Sequence, residues 1–107
     1  MAWDVGGKED GSDSQARLVA DKEHWPEMRA LILVASAEKK AVTSTAGMQA
    51  TVATSSLFRA RVQDVPNRMR EMERCIQERD FEGFARVTMR ETNSFHACCF
   101  DTVSTLL

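Results

Sequence analysis

No apolar run in this sequence exceeds the six residues from Ala30 to Ala35. A membrane-spanning helix needs roughly 20, so none is expected. The N-terminus, Met1-Ala2-Trp3-Asp4-Val5-Gly6-Gly7, lacks the basic stretch and apolar core of a secretory signal. Neither charge sign dominates: 14 Lys and Arg stand against 16 Asp and Glu, for a net charge of −2. That balance argues against a chain whose task is to coat nucleic acid or an anionic membrane. Paired cysteines are also missing. Cys75, Cys98 and Cys99 make an odd set with two neighbours adjacent, which fits a reducing, cytoplasmic-type compartment better than a disulfide framework. What remains is ordinary globular composition, 43% apolar and 28% charged over 107 residues, enough for about one domain. A chain this short buries only ~60–70% of its unfolded surface, so its stability margin is thin.

The chain changes character near residue 42. Residues 1–41 hold all four lysines and two arginines, whereas residues 57–92 hold eight arginines and no lysine. The polar, Gly-rich stretch Gly6 to Ser14 reads as a turn between short strands at Ala2–Val5 and Gln15–Ala20. Pro26 biases Trp25 to an extended conformation. Met28 to Ala35, with Leu31, Ile32, Leu33 and Val34 in a row, reads as a strand buried on both faces. Beyond Lys39 and Lys40 the pattern turns helical. Thr43, Ser44 and Thr45 offer N-caps for a helix through Ala53, and Thr54, Ser55 and Ser56 offer caps for a second carrying Leu57, Phe58 and Arg61. Pro66 suits the first turn of a third, with Met69, Met72 and Ile76 on one face. Asp80 caps a fourth, whose stripe runs through Phe81, Phe84, Ala85, Thr88, Thr92 and Phe95 to Cys99. The fold class is therefore α+β: short antiparallel strands, then about four helices packed on the sheet.

Three groups of residues invite a chemical reading. Thr43, Ser44 and Thr45, opening a helix after Lys39 and Lys40, suit an anion such as phosphate, because free N–H groups and the positive dipole end converge there. From spacing alone, simple capping by one of these hydroxyls is the favoured reading. Asp101 follows the apolar segment Phe95 to Phe100; it is either a turn former or a carboxylate held beside a cleft for general-base work. His96 beside Cys98 and Cys99 suggests a metal site, but vicinal thiols span a tetrahedral site poorly, and only His24 and Cys75 remain as further ligands. Buried structural thiols are the simpler reading, and no metal is expected. The arginines of 57–92 alternate with Asp64, Glu71, Glu73, Glu78, Asp80, Glu82 and Glu91. Such alternation marks a solvated face with local ion pairs, not a nucleic-acid track.

Two stretches carry more than pattern. Residues 37–54, Ala-Glu-Lys-Lys-Ala-Val-Thr-Ser-Thr-Ala-Gly-Met-Gln-Ala-Thr-Val-Ala-Thr, and residues 93–102, Asn-Ser-Phe-His-Ala-Cys-Cys-Phe-Asp-Thr, closely resemble segments of the diphosphomevalonate decarboxylase family. Asp10-Gly11-Ser12-Asp13-Ser14, Trp25-Pro26 and Arg79-Asp80-Phe81 fall in family order as well. The resemblance runs through residues 1 to about 102. That family belongs to the small-molecule kinase superfamily known as GHMP, and uses ATP with a divalent cation such as Mg to convert mevalonate 5-diphosphate to isopentenyl diphosphate in isoprenoid and sterol synthesis. The resemblance implies that Ser44 and Thr45 face the substrate's diphosphate, that Met48 walls the same pocket, and that Asp101 is the catalytic carboxylate. It implies a homodimer for the complete protein, in the cytoplasm.

The departures from the family are equally specific. The Gly/Ser-rich loop that cradles ATP phosphates has no counterpart here, and the Tyr-Trp-Gly-Lys substrate segment is missing, since the sequence has no tyrosine. After Asp101-Thr102 the family continues with Phe-Pro-Pro, where this chain reads Val-Ser-Thr-Leu-Leu. The loop before Pro66 is one residue short. Residues 1–107 are thus expected to form part of the substrate-side, C-terminal domain, without the ATP-binding part and inactive in isolation. The alternative is a non-catalytic protein-interaction module derived from that enzyme.

Overall fold

The computed structural model describes residues 1–35 and 42–103. Its order is β1 (Ala2–Asp4), β2 (Gln15–Arg17), α1 (Ser44–Thr54), α2 (Ser56–Glu78) and α3 (Phe81–Asp101), an α+β arrangement. The two strands pair antiparallel with Ala2 opposite Arg17 and Asp4 opposite Gln15. They are shorter than the alternation predicts. The intervening loop folds around Asp13, whose carboxylate accepts the N–H groups of Gly7 at 2.8 Å and Lys8 at 3.2 Å. Gly11 takes the left-handed conformation there, at φ +67°.

The segment expected to be a doubly buried strand, Met28 to Ala35, is not one. Leu31, Ile32, Leu33 and Val34 are 75–88% exposed and have no regular structure. A strand persists only where neighbours take up its N–H and C=O groups, and among the described residues no strand lies beside it. The connection leading into it is better anchored. Trp25 meets Phe84 edge-on at 6.1 Å, Phe84 stacks on Phe81, and His24 Nε2 donates to the Ile76 carbonyl at 2.8 Å.

Among the described residues three helices form, where about four are expected. The Leu57–Arg61 and Met69–Ile76 segments are one helix, α2, with Pro66 inside it. An interior proline removes one hydrogen bond and crowds the carbonyl four residues back, costing about 3 kcal/mol. Packing along α3, the main helix contact of the molecule, outweighs that cost. α2 ends where Arg79 adopts φ 55°, with Asp80 N–H donating to the Cys75 carbonyl at 2.9 Å and Arg79 N–H to that of Ile76 at 3.2 Å. This paired closure is the Schellman arrangement, with arginine where glycine is usual. Asp80 then caps α3, as the sequence predicts, by accepting the Gly83 N–H at 2.9 Å.

The buried face of α3 is rotated from the expected stripe. Gly83, Val87, Cys98 and Cys99 are buried, with Glu91 and Ser94 half-buried between them; of the expected stripe Cys99 is buried and Phe84 and Ala85 are half-buried, while Phe81 and Phe95 are 62% and 50% exposed. Gly83 is the tight point on this face: a Cβ there would lie 2.7 Å from Cys75 Sγ and 2.3 Å from Asp80 Oδ2, so only glycine lets α2 come this near. Further along, Arg61 and Arg68 of α2 both pair with Glu91, the latter at 3.1 Å, and Arg68 also holds Asp64 at 2.6 Å. The hairpin joins this pair through Arg17, which bonds Asp4 at 2.8 Å and Glu73 of α2 at 2.6 Å.

Candidate functional site

α1 starts because Thr43 caps it: its side-chain oxygen accepts the Ala46 N–H at 3.2 Å from an extended backbone. Capping is therefore done by Thr43, not by Ser44 or Thr45. Those two occupy the first helical turn, both exposed, and their hydroxyls bond no other described residue. Lys39 and Lys40 lie outside the described residues. Met48 follows one turn later, 59% exposed, and Ser44, Met48 and Val52 recur every four residues along one face. The neighbouring face, through Gly47 and Thr51, turns toward α3.

The far end of α1 is tied to α3 by hydroxyls. Thr102 Oγ1 donates to the Cys98 carbonyl at 2.7 Å, so the 2.9 Å bond between Thr51 and Thr102 has Thr51 as donor. Val103 N–H donates to Thr54 Oγ1 at 3.0 Å. Thr102 is buried, 3% exposed.

Asp101, the last residue of α3, sits at this junction. Its Oδ2 accepts from the Ser55 hydroxyl at 2.9 Å, the Ser56 hydroxyl at 3.1 Å and the Leu57 N–H at 3.2 Å. It thereby closes the N-terminus of α2, a task that the side chain of Ser55, the N-cap, leaves undone. Among the described residues no hydrogen bond of normal geometry ends on Oδ1, and the Ser56 N–H adds only the weakest pull on the carboxyl. The Ser55 hydroxyl first, then the Leu57 N–H and the Ser56 hydroxyl, hold the Asp101 carboxyl below the usual carboxylate range. Asp101 is thus ionised at neutral pH, with one oxygen fixed and the other open.

Ser44 and Thr45 do not touch Asp101. They stand at the opposite end of α1, eleven residues from Ser44 to Ser55, or about 16 Å along the axis at 1.5 Å per residue. The hydroxyl ties hold both ends in one frame. Sequence reasoning missed Ser55 and Ser56 as partners of Asp101, because a hydroxyl pair before a helix reads as a cap. A carboxylate 45 residues away from Ser56 leaves no local trace.

The remaining candidates have structural roles. Cys75, Cys98 and Cys99 are buried free thiols, Cys75 lying beside Gly83 of α3, and His96 is exposed. Among the described residues no three His, Cys, Asp or Glu side chains come together as metal ligands, and no helix is long and apolar enough to cross a membrane. The arginines form local pairs, as expected, but Glu91 also joins the two long helices. No described loop fits ATP phosphates: the Gly7 and Lys8 N–H groups, the nearest to a glycine cradle, already face the Asp13 carboxylate.

The family model for the mevalonate 5-diphosphate decarboxylase C-terminal domain matches residues 30–107. The chain is 65% identical over 103 residues to the diphosphomevalonate decarboxylase of Gibberella zeae and 58% identical over 103 residues to that of Homo sapiens. Each match covers 95% of this chain but 27% and 26% of those proteins, so the chain spans about a quarter of the curated relatives' length. A crystal structure of mevalonate 5-diphosphate decarboxylase superposes with a TM-score of 0.90 at 49% identity, covering 98% of this chain and 27% of that one. The Trypanosoma brucei enzyme superposes at 0.78 with 34% identity, covering 95% and 27%.

Proposed function

Because the chain belongs to the mevalonate 5-diphosphate decarboxylase C-terminal domain family, we propose that it supplies the substrate side of the ATP-dependent conversion of mevalonate 5-diphosphate to isopentenyl diphosphate. The observation that carries this reading is the asymmetric carboxylate of Asp101, one oxygen clamped by three donors and the other open. Oδ1 accepts the hydrogen of the substrate's tertiary hydroxyl, which raises the electron density on that oxygen as it reacts. Ser44 and Thr45 present hydroxyls and first-turn N–H groups to the diphosphate, where the helix dipole favours negative charge. Met48 walls the path between them along the exposed face of α1. ATP and its divalent cation are held by parts of the complete enzyme that this chain does not contribute, so the isolated chain is inactive. The complete protein is a homodimer in the cytoplasm.

Titration of mevalonate 5-diphosphate into the chain, followed by amide NMR, tests the binding half. The signals of Ser44, Thr45 and Met48 move, and Ser44→Ala or Thr45→Ala weakens binding by roughly 10-fold, the loss of one charge-assisted hydrogen bond. Binding that leaves those amides unmoved overturns the assignment. A second reading, a non-catalytic interaction module, is favoured by the exposed apolar segment Leu31 to Val34. Tight binding to another protein with no affinity for the diphosphate would select it.

A further inference from the structure

Ser55 and Ser56 have more to do than start a helix. An N-cap serine ordinarily turns its hydroxyl onto the N–H two or three residues ahead in its own helix. Ser55 does not: it makes no side-chain cap bond, and its hydroxyl donates to Asp101 Oδ2 at 2.9 Å. Ser56 does the same at 3.1 Å, and the Leu57 N–H adds a third donor at 3.2 Å. A carboxylate oxygen has about two lone-pair sites, so three donors saturate Oδ2. All further capacity to accept a hydrogen bond then lies on Oδ1.

The backbone reinforces the arrangement. Ser55 is buried, 6% exposed, which leaves its hydroxyl little solvent with which to exchange partners. The next residue after Asp101, Thr102, is fixed at the same junction by Thr51 and by the Cys98 carbonyl. The carboxylate is held from both sides: through its own oxygen by the start of α2, and through the chain behind it by the end of α1.

We propose that Ser55 and Ser56 are positioning residues, which clamp one oxygen of Asp101 so that Oδ1 alone is offered to the substrate hydroxyl. The proposal rests on the reading of Asp101 given above. A carboxylate free to rotate presents either oxygen over a range of angles, and misplacement by about 1 Å costs on the order of 100-fold in rate. The simpler alternative is that Asp101 is there only to cap α2. The two differ in what they predict when the serines are removed.

The test places residues 1–103 of this chain in the full-length Gibberella zeae decarboxylase, in place of its matching segment, and measures kcat and KM separately. Asp101→Asn should lower kcat by roughly 100-fold or more. Ser55→Ala and Ser56→Ala should each lower kcat by roughly 10-fold with KM within about twofold, and Ser56→Thr should restore it. If Asp101→Asn is inactive while both alanine variants keep full kcat, the positioning role is wrong and the reading of Asp101 stands. If Asp101→Asn retains full activity, the reading of Asp101 fails and the positioning role with it. A second measurement needs no turnover. The Asp101 carboxyl of the 107-residue chain, followed by carbon-13 NMR against pH, should titrate higher in the Ser55→Ala, Ser56→Ala double variant than in the parent chain. An unchanged midpoint overturns the clamp.

Discussion

At Gly83 a hydrogen atom in place of a methyl group decides how closely α2 and α3 approach. Gly83→Ala forces its Cβ against Cys75 Sγ and the Asp80 carboxylate, displacing the cap as well as the seam. A loss of about 1–3 kcal/mol is expected, measured as a shift in urea midpoint at constant slope. Asp101 and Glu91 contribute to the acid sensitivity, alongside Asp4, Asp10, Asp13, Asp64 and Asp80, which hydrogen bonds also hold low. The Ser55 hydroxyl holds Asp101 low and Arg61 holds Glu91 low, so both folded values lie beneath the unfolded ones. Their contribution is complete above the unfolded values, about 4, and disappears as pH falls through the folded ones. Circular dichroism should therefore show helix loss below about pH 4, with Glu91→Gln costing about 1 kcal/mol at neutral pH and flattening that acid slope. Local roles of this kind were legible in sequence where donor and acceptor sit within one turn. Thr43 with Ala46 and Asp80 with Gly83 are such pairs. The Ser55–Asp101 contact joins two ends of different helices, and nothing in either neighbourhood announces the other.

Among the elements, α2 shows how far a breaker can be overruled. Pro66 was a sound place to begin a helix by local rules, yet a continuous partner on one side keeps the axis running through it. The same partnership turns α3, where the close approach at Gly83 goes with exposure of the larger side chains of Phe81 and Phe95. Periodicity identified that α3 is helical and where it starts, but it weighs apolar size and is blind to which residue permits contact. For Met28 to Ala35 the failure is of another kind: composition described a strand interior, and no described neighbour completes the sheet. The α2–α3 turn offers its own test. Arg79 holds a left-handed backbone that costs a non-glycine residue roughly 1–2 kcal/mol. Glycine removes that strain but adds freedom to the unfolded chain. Arg79→Gly should therefore stabilise by about 0.5–1 kcal/mol, read from thermal and urea unfolding; a destabilised variant would show that the arginine side chain contributes more than its backbone costs.

The molecule as a whole is open. Its accessible surface is 8691 Å² for 12.0 kDa, against about 6000 Å² for a compact monomer of that mass. The radius of gyration is 16.0 Å, where about 13 Å is usual for this length. Leu31, Ile32, Leu33 and Val34 account for part of the excess, and each large apolar side chain left in water forgoes roughly 1.5–3 kcal/mol. The chain alone should unfold with a margin below about 5 kcal/mol and self-associate, shown by urea titration with light scattering on the same samples. A monomer with a steep transition and a larger margin would contradict this. Catalysis follows the same logic of completeness. Phosphoryl transfer depends on charge neutralisation around the phosphates, and no described loop fits them, so the purified chain should release no phosphate from ATP and mevalonate 5-diphosphate.

The three cysteines turn this openness into something that can be timed. Cys75, Cys98 and Cys99 are 0%, 2% and 6% exposed, the first on α2 against Gly83 of α3 and the other two in the last turn of α3. An alkylating reagent reaches a sulfur there only while the helices are parted, so each thiol works as a stopwatch for one stretch of the fold. Equal labelling rates at all three sulfurs mean that the helices separate as one body. A faster clock at Cys98 and Cys99 than at Cys75 means that the fold unzips from the end that carries Asp101, and the grip of that carboxylate on the start of α2 would then be the first thing the molecule lets go.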